Sequence, residues 1–153
     1  MNLVQFRSWR LFADVELTRE FYRAIPQGSA AACALACNDC RYFDEHRDRI
    51  FPPEFRELLE RLGIDYTKEA ESYSFSESAV CGDRAGWFHY AGRIEGVDAD
   101  YGNEYIDGDF CLFIHPANAL LQEPFLNHAK VHPGLISVIA LEWSWPTSPI
   151  PLV

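Results

Sequence analysis

The run FPPEFRELLERLG, Phe51 to Gly63, constrains this chain more than any other stretch. Pro52 and Pro53 stop whatever precedes them. Proline is tolerated in a first helical turn, where its missing N–H has no intrahelical partner to lose. Phe55, Leu58, Leu59 and Leu62 then fall on one stripe at helical spacing, and Gly63 stands where a left-handed C′ residue belongs. The result is a short helix with a one-sided apolar face, which needs a second layer to lie against.

The rest of the chain says what that layer is. Leu3 to Phe12 alternates imperfectly and reads equally as a strand or the start of a helix. Asp14 is placed to cap a helix running to Arg23, with Val15, Leu17, Phe21, Tyr22 and Ile25 as its apolar contacts, closed by Pro26 and Gly28. Ser29 opens an alanine-rich turn leading into the cysteines. From Cys40 onward, Phe43 and Ile50 recur at helical spacing, and Thr67 to Glu71 adds a short helical turn.

After Tyr73 the residues become aromatic and β-branched with Gly/Asp punctuation, predicting strands at Tyr73–Ser76, Trp87–Ile94, Phe110–His115 and Leu135–Trp143. The last is apolar on both alternating sets and is expected to be central and covered on both faces. Helices first and strands afterwards predict a single α+β domain over residues 1–153. Its helical part covers about 14–71 and its sheet part about 72–146, with N-terminal helices packed on a mainly antiparallel sheet of about four or five strands.

The net charge of −10 disfavours nucleic acid and anionic membranes, which call for Lys/Arg patches, so a macromolecular partner is expected to be a basic protein. Arg7 and Arg10 interrupt the N-terminal apolar stretch, leaving no signal-peptide core, and Leu135 to Leu141 is too short to span a bilayer. A cytoplasmic location is the expectation. Five cysteines in a reducing compartment favour thiols or metal ligands over a disulfide framework.

Cys33, Cys37 and Cys40 form the one dense set of soft ligands, and three thiolates at this spacing can share one zinc ion. A fourth ligand would come from His46, from His128 and His132, or from Cys81 or Cys111. The bland alternative is that they are small buried hydrophobes beside an alanine-rich turn. The same C-x3-C-x2-C spacing resembles that of the radical-SAM enzymes, whose three cysteines hold a four-iron cluster, but Asp39 stands where their usual aromatic residue would be and the chain is too short for their barrel.

The negative charge is concentrated. Residues 94–129 carry Glu95, Asp98, Asp100, Glu104, Asp107, Asp109 and Glu123 with no Lys or Arg. Within DADYGNEYIDGD the glycine is one position early for a calcium loop, and Asp109 stands where a bidentate Glu belongs. A solvated β-hairpin loop is the bland reading. The sharper one is a docking surface made of Glu95, Asp98, Asp100, Tyr101, Glu104, Tyr105, Asp107 and Asp109, in which carboxylates steer a basic partner and tyrosines add packing area.

No nucleophile elbow, HExxH, P-loop or Rossmann glycine pattern occurs. His89 sits in an aromatic strand, where a satisfied sheet histidine is the default. Glu142 lies in an otherwise apolar strand and would pair with an arginine such as Arg93 or act as an acid or base. His89, His115 and Glu142 converge only if three strands are adjacent and in register.

The segments CNDCRYF, IFPPEFRELLERLGIDYTKEAE and AGWFHYAGRI resemble a family of small uncharacterised bacterial proteins. In that family a CxxCxxF segment precedes a PPE helix ending in LGID, a KxxE turn and a GW-F/Y-H strand. The resemblance covers about residues 37–94 and more weakly ISVIALEW; it implies one compact domain and no nameable activity.

Small size, acidity, absence of a catalytic motif and the acidic segment together predict a non-enzymatic binding protein without a cofactor. Its most concrete form is an immunity-type inhibitor covering a basic toxin or effector. The alternatives are a zinc-stabilised domain with thiolate ligands and a small acid/base enzyme using His89 and Glu142.

Overall fold

The computed structural model describes residues 1–33, 38–74, 84–95, 103–108, 110–134 and 136–145, the side chains of 38, 39, 74 and 103–105 excepted. Among these residues the chain forms four helices and one seven-stranded antiparallel sheet. This is the expected α+β fold with more strands than the expected four or five.

Two of the extra strands are N-terminal. β1 (Asn2–Phe6) and β2 (Trp9–Ala13) form a hairpin in which Phe6 faces Trp9 across a turn with Arg7 at φ 54°. The turn explains the imperfect alternation. Val4 and Phe6 point inward, the two turn residues break the phase, and Trp9, Leu11 and Ala13 resume it. The sheet therefore starts before the helices instead of following them.

α1 (Val15–Ala24) begins where Asp14 accepts the amide of Leu17 at 3.1 Å, as its capping position requires. α2 (Asn38–Ile50) and α3 (Pro53–Leu62) are separated only by Phe51 and Pro52. α3 ends at Gly63, with φ 86°, where a Cβ would meet the carbonyl of Val15 at 2.6 Å. Close approach to α1 and backbone conformation both demand glycine there. Thr67 to Glu71 is not helical: after a turn, Glu71 opens β3 (Glu71–Ser74).

β4 (Arg84–Glu95), β5 (Asn103–Asp107), β6 (Phe110–Pro116) and β7 (Val138–Trp145) complete the sheet. The order is β1-β2-β4-β7-β6-β5, with β3 also on β4. β7 is central, as its apolar pattern predicts. α4 (Pro124–Val131) lies between β6 and β7 in sequence and was not expected from the pattern.

One face of the sheet packs on α2 and α3 through Phe43, Phe51, Phe55, Phe88, Phe110 and Trp143, all fully buried. Phe51 sits edge-on to Phe43, Phe55, Phe88, Phe110 and Trp143, with centroids 5.0–6.2 Å apart. Edge-to-face rings at such spacing add to burial worth about 2–3 kcal/mol per side chain. The sheet curls far enough that Arg7, in the β1–β2 turn, reaches Glu54 of α3 at 3.1 Å and the Ile106 carbonyl of β5, the last strand at the far end, at 3.4 Å.

Behind α2 lies a buried ion pair. Arg47 donates to Glu69 at 2.7 Å, and the Glu69 side chain is 0% exposed. The other Glu69 oxygen accepts the amide of Ala30 at 2.8 Å, which ties the Gly28–Cys33 turn to α2. Burial pushes the Glu69 carboxyl up, with Arg47 and the Ala30 amide opposing. Among the described residues no helix is long and apolar enough to cross a membrane.

Candidate functional site

The face of the sheet turned away from α2 and α3 carries the chemistry. Opposed residues of antiparallel strands share a face. One row therefore runs Glu71, Trp87, Glu142, Phe113 across β3, β4, β7 and β6. The next row runs His89, Ala140, His115, and Tyr73 and Ala85 lie in the row on the other side. The three strands carrying His89, Glu142 and His115 are thus adjacent and in register, the condition the sequence reading set for their convergence.

Helices α1 and α4 cover only part of this face. Phe125 of α4 stacks on the His89 ring, with centroids 5.8 Å apart, and sits against Phe21 and Tyr22 of α1. His89 is left 1% exposed. Glu123, at the N-cap of α4, reaches back over the sheet, and the Trp87 indole N–H donates to both its oxygens, at 3.0 and 2.9 Å. Beyond it the sheet is open: Tyr73 is 43% exposed, the Glu142 side chain 45%, and Trp87 and Phe113 are half-buried. β7 is therefore covered on one face and only partly on the other.

The two histidines differ in charge. Burial, then the neighbouring His115, lowers the His89 pKa to about 4, so His89 is neutral near pH 7. Its Nε2 lies 3.7 Å from a Glu123 oxygen, too far for a hydrogen bond, and Nδ1 has no partner among the described residues. His115 is instead raised, chiefly by Glu142, whose carboxylate lies 3.2 Å from Nε2, although out of line for a good hydrogen bond. Its Nδ1 lies 2.8 Å from the Pro116 carbonyl. With both nitrogens facing oxygens, His115 is suited to hold its proton, not to exchange it with a substrate. Burial raises the Glu123 carboxyl against the Trp87 hydrogen bond, and Glu71 adds repulsion.

Neither histidine presents an open ring nitrogen on this face. Glu142 faces His115 instead of Arg93, and His89 is sealed beneath Phe125. What remains accessible is an aromatic surface, Trp87, Tyr73 and Phe113, among Glu71, Glu123 and Glu142. From Ala85 to His89 the rows of this face contribute no Lys or Arg.

The acidic segment is placed differently from the expected hairpin. β7 and β6 lie between β4 and β5, so residues 96–102 join strands that do not pair. Glu95, at the end of β4, has Arg93 at 3.2 Å and Arg10 at 3.9 Å, so adjacent strands supply counter-charge that the segment itself lacks. Asp107 ends β5 and is exposed; Glu104 and Tyr105 pair with Leu112 and Cys111 of β6. Asp98, Asp100, Tyr101 and Asp109 lie outside the described residues.

Of the cysteine set, Cys33 and Cys40 are half-buried and Cys37 lies outside the described residues, as does Cys81. Among the described residues no three His, Cys, Asp or Glu side chains are placed to hold a metal ion. His46 contacts the Tyr42 carbonyl at 2.8 Å and stacks on that ring, and His128 and His132 pack on Phe21.

The sequence reading missed Glu71, Tyr73, Trp87 and Phe113, because their grouping depends on strand order. Glu123 was left out of the expected docking set as well, although a local signal existed: Glu-Pro followed by Phe125, Leu126 and Ala129 repeats the helix-start logic of Pro53. No family model matches the chain, and neither does any curated protein or solved structure.

Proposed function

We propose that the chain is a non-enzymatic acidic binding domain for a basic protein partner, with the open half of the sheet as its docking face. An immunity-type inhibitor of a basic toxin or effector is the most concrete form of this reading. The observation that carries it is the row Glu71–Trp87–Glu142–Phe113, completed by Glu123 and Tyr73, on rows that supply no Lys or Arg, with His115 already taken up by Glu142 at 3.2 Å. Aromatic residues give contact area at little entropic cost, and carboxylates give orientation and a fast encounter with a basic surface. The carboxylates of the acidic segment add to the same steering field.

A peptide of alternating arginine and glycine, titrated by calorimetry at low and raised salt, tests the reading. Glu71, Glu123 and Glu142 are replaced together by Gln, and compared with a charge-matched triple of Glu20, Glu57 and Glu60, exposed on α1 and α3. The face triple should weaken binding by about tenfold and the helix triple by less than about twofold. Equal losses would reduce the effect to net charge, and no binding at low salt would end the proposal.

A further inference from the structure

We propose that Trp87 and Glu123 form a subsite for one arginine side chain of the basic partner, the guanidinium lying on the indole face and pairing with the carboxylate. The proposal rests on the docking reading above and names its central contact. Three observations carry it.

The first is the register. Glu71 and Glu142 are the cross-strand neighbours of Trp87 on its two sides, and Glu123 closes on its N–H edge. One half-buried indole is thus bordered by three carboxylates. A cation over an aromatic face gains from the ring quadrupole, most of all over tryptophan, and here the surrounding charge has the matching sign.

The second is how the chain uses its own arginines. Arg93 lies 4.1 Å over Phe12, Arg47 4.9 Å over Phe43 and Arg7 5.7 Å over Phe6. Among the described residues none lies over Trp87, the best such ring on the open face.

The third is Glu123 itself. Its side chain is only 12% exposed, and Trp87 is the one hydrogen-bond donor to it among the described residues. His89, buried beside it, aims Nε2 at the same carboxylate from 3.7 Å without a hydrogen bond, and its Nδ1 is unpartnered. A largely buried carboxylate with one donor has lone pairs left to fill. A guanidinium supplies a planar fork that pairs with a carboxylate while stacking on a ring, which a lysine ammonium cannot do.

The test uses the whole chain and a small probe, the blocked tripeptide Gly-Arg-Gly, with its citrulline isostere as the uncharged control. The Trp87 indole N–H signal in a proton–nitrogen correlation spectrum, assigned from its loss in Trp87→Phe, is followed during titration. The arginine peptide should move it saturably, the citrulline peptide should not, and Glu123→Gln should weaken the effect by about tenfold. An unmoved Trp87 signal in the native protein, or equal response to both peptides, overturns the subsite. If the arginine–glycine polymer still depends on the face triple while Trp87 stays unmoved, the subsite falls and the docking face stands. If Trp87 responds but the polymer ignores the face triple, the docking reading falls and the subsite stands.

Discussion

The hydroxyl of Tyr22 stands in for a missing strand partner of His89: it donates to the His89 carbonyl at 2.9 Å and accepts from the His89 N–H at 3.0 Å. β3 and β2 share one edge of β4 and leave a gap between them. α1 fills it, since Thr18 Oγ1 accepts the Ala91 N–H at 3.1 Å and the Asp14 amide donates to the Ala91 carbonyl at 2.8 Å. A helix thus completes the hydrogen bonding of a strand and fixes the part of β4 that carries His89, next to the row of Trp87.

Tyr22→Phe keeps the ring and removes both bonds, leaving two buried backbone groups unpaired. The expected loss is roughly 2–4 kcal/mol in urea unfolding, with the slope unchanged. A loss below about half a kcal/mol would mean that water or a small shift replaces the hydroxyl.

Arg47→Met should be more damaging than its size suggests, because it leaves Glu69 buried without its cation. About 3–5 kcal/mol is expected for breaking such a pair from one side. The double variant Arg47→Met with Glu69→Leu should recover part of that loss, since it removes the stranded charge. A double variant as unstable as the sum of the single ones would show that the two side chains act independently.

Gly86→Ala places a methyl group 2.6 Å from the Trp143 ring and against the Glu71 carbonyl, where β3, β4 and β7 meet. Overpacking of this kind costs about 1–3 kcal/mol. The near-ultraviolet circular dichroism of the tryptophans should change with it. Native stability in this variant would show that Trp143 can shift without loss.

Much of the scaffold was legible because its signals are local. Asp14, Pro53 and Gly63 mark helix ends by chemistry that acts within one turn, and the Phe55–Leu62 stripe states its own burial. The N-terminal hairpin was ambiguous because its two-residue turn at Arg7 shifts the phase of the alternation. The proposed docking face was hidden for a different reason. Glu71, Trp87 and Glu142 are far apart in the chain, and only the order β3-β4-β7 places them in one row. The same order separates β4 from β5, so the strands on either side of residues 96–102 do not pair, and Asn103–Asp107 lies along β6 instead.

The pH dependence of stability should carry the signature of His89. Its folded pKa of about 4 lies below the ordinary imidazole value of 6.5, so the unfolded chain takes up this proton first as the pH falls. Stability from this group is therefore complete above about pH 6.5 and is lost between there and about pH 4, up to roughly 3 kcal/mol. His115 and Glu123 work in the opposite direction, because raised folded pKa values favour the native state as protons bind. They titrate in both native protein and His89→Gln, so the difference between the two unfolding curves isolates His89. That difference should grow in favour of the variant as the pH drops from 7 to 4. A difference independent of pH would mean that His89 meets solvent, or gains a charged partner in Glu123, before the chain unfolds.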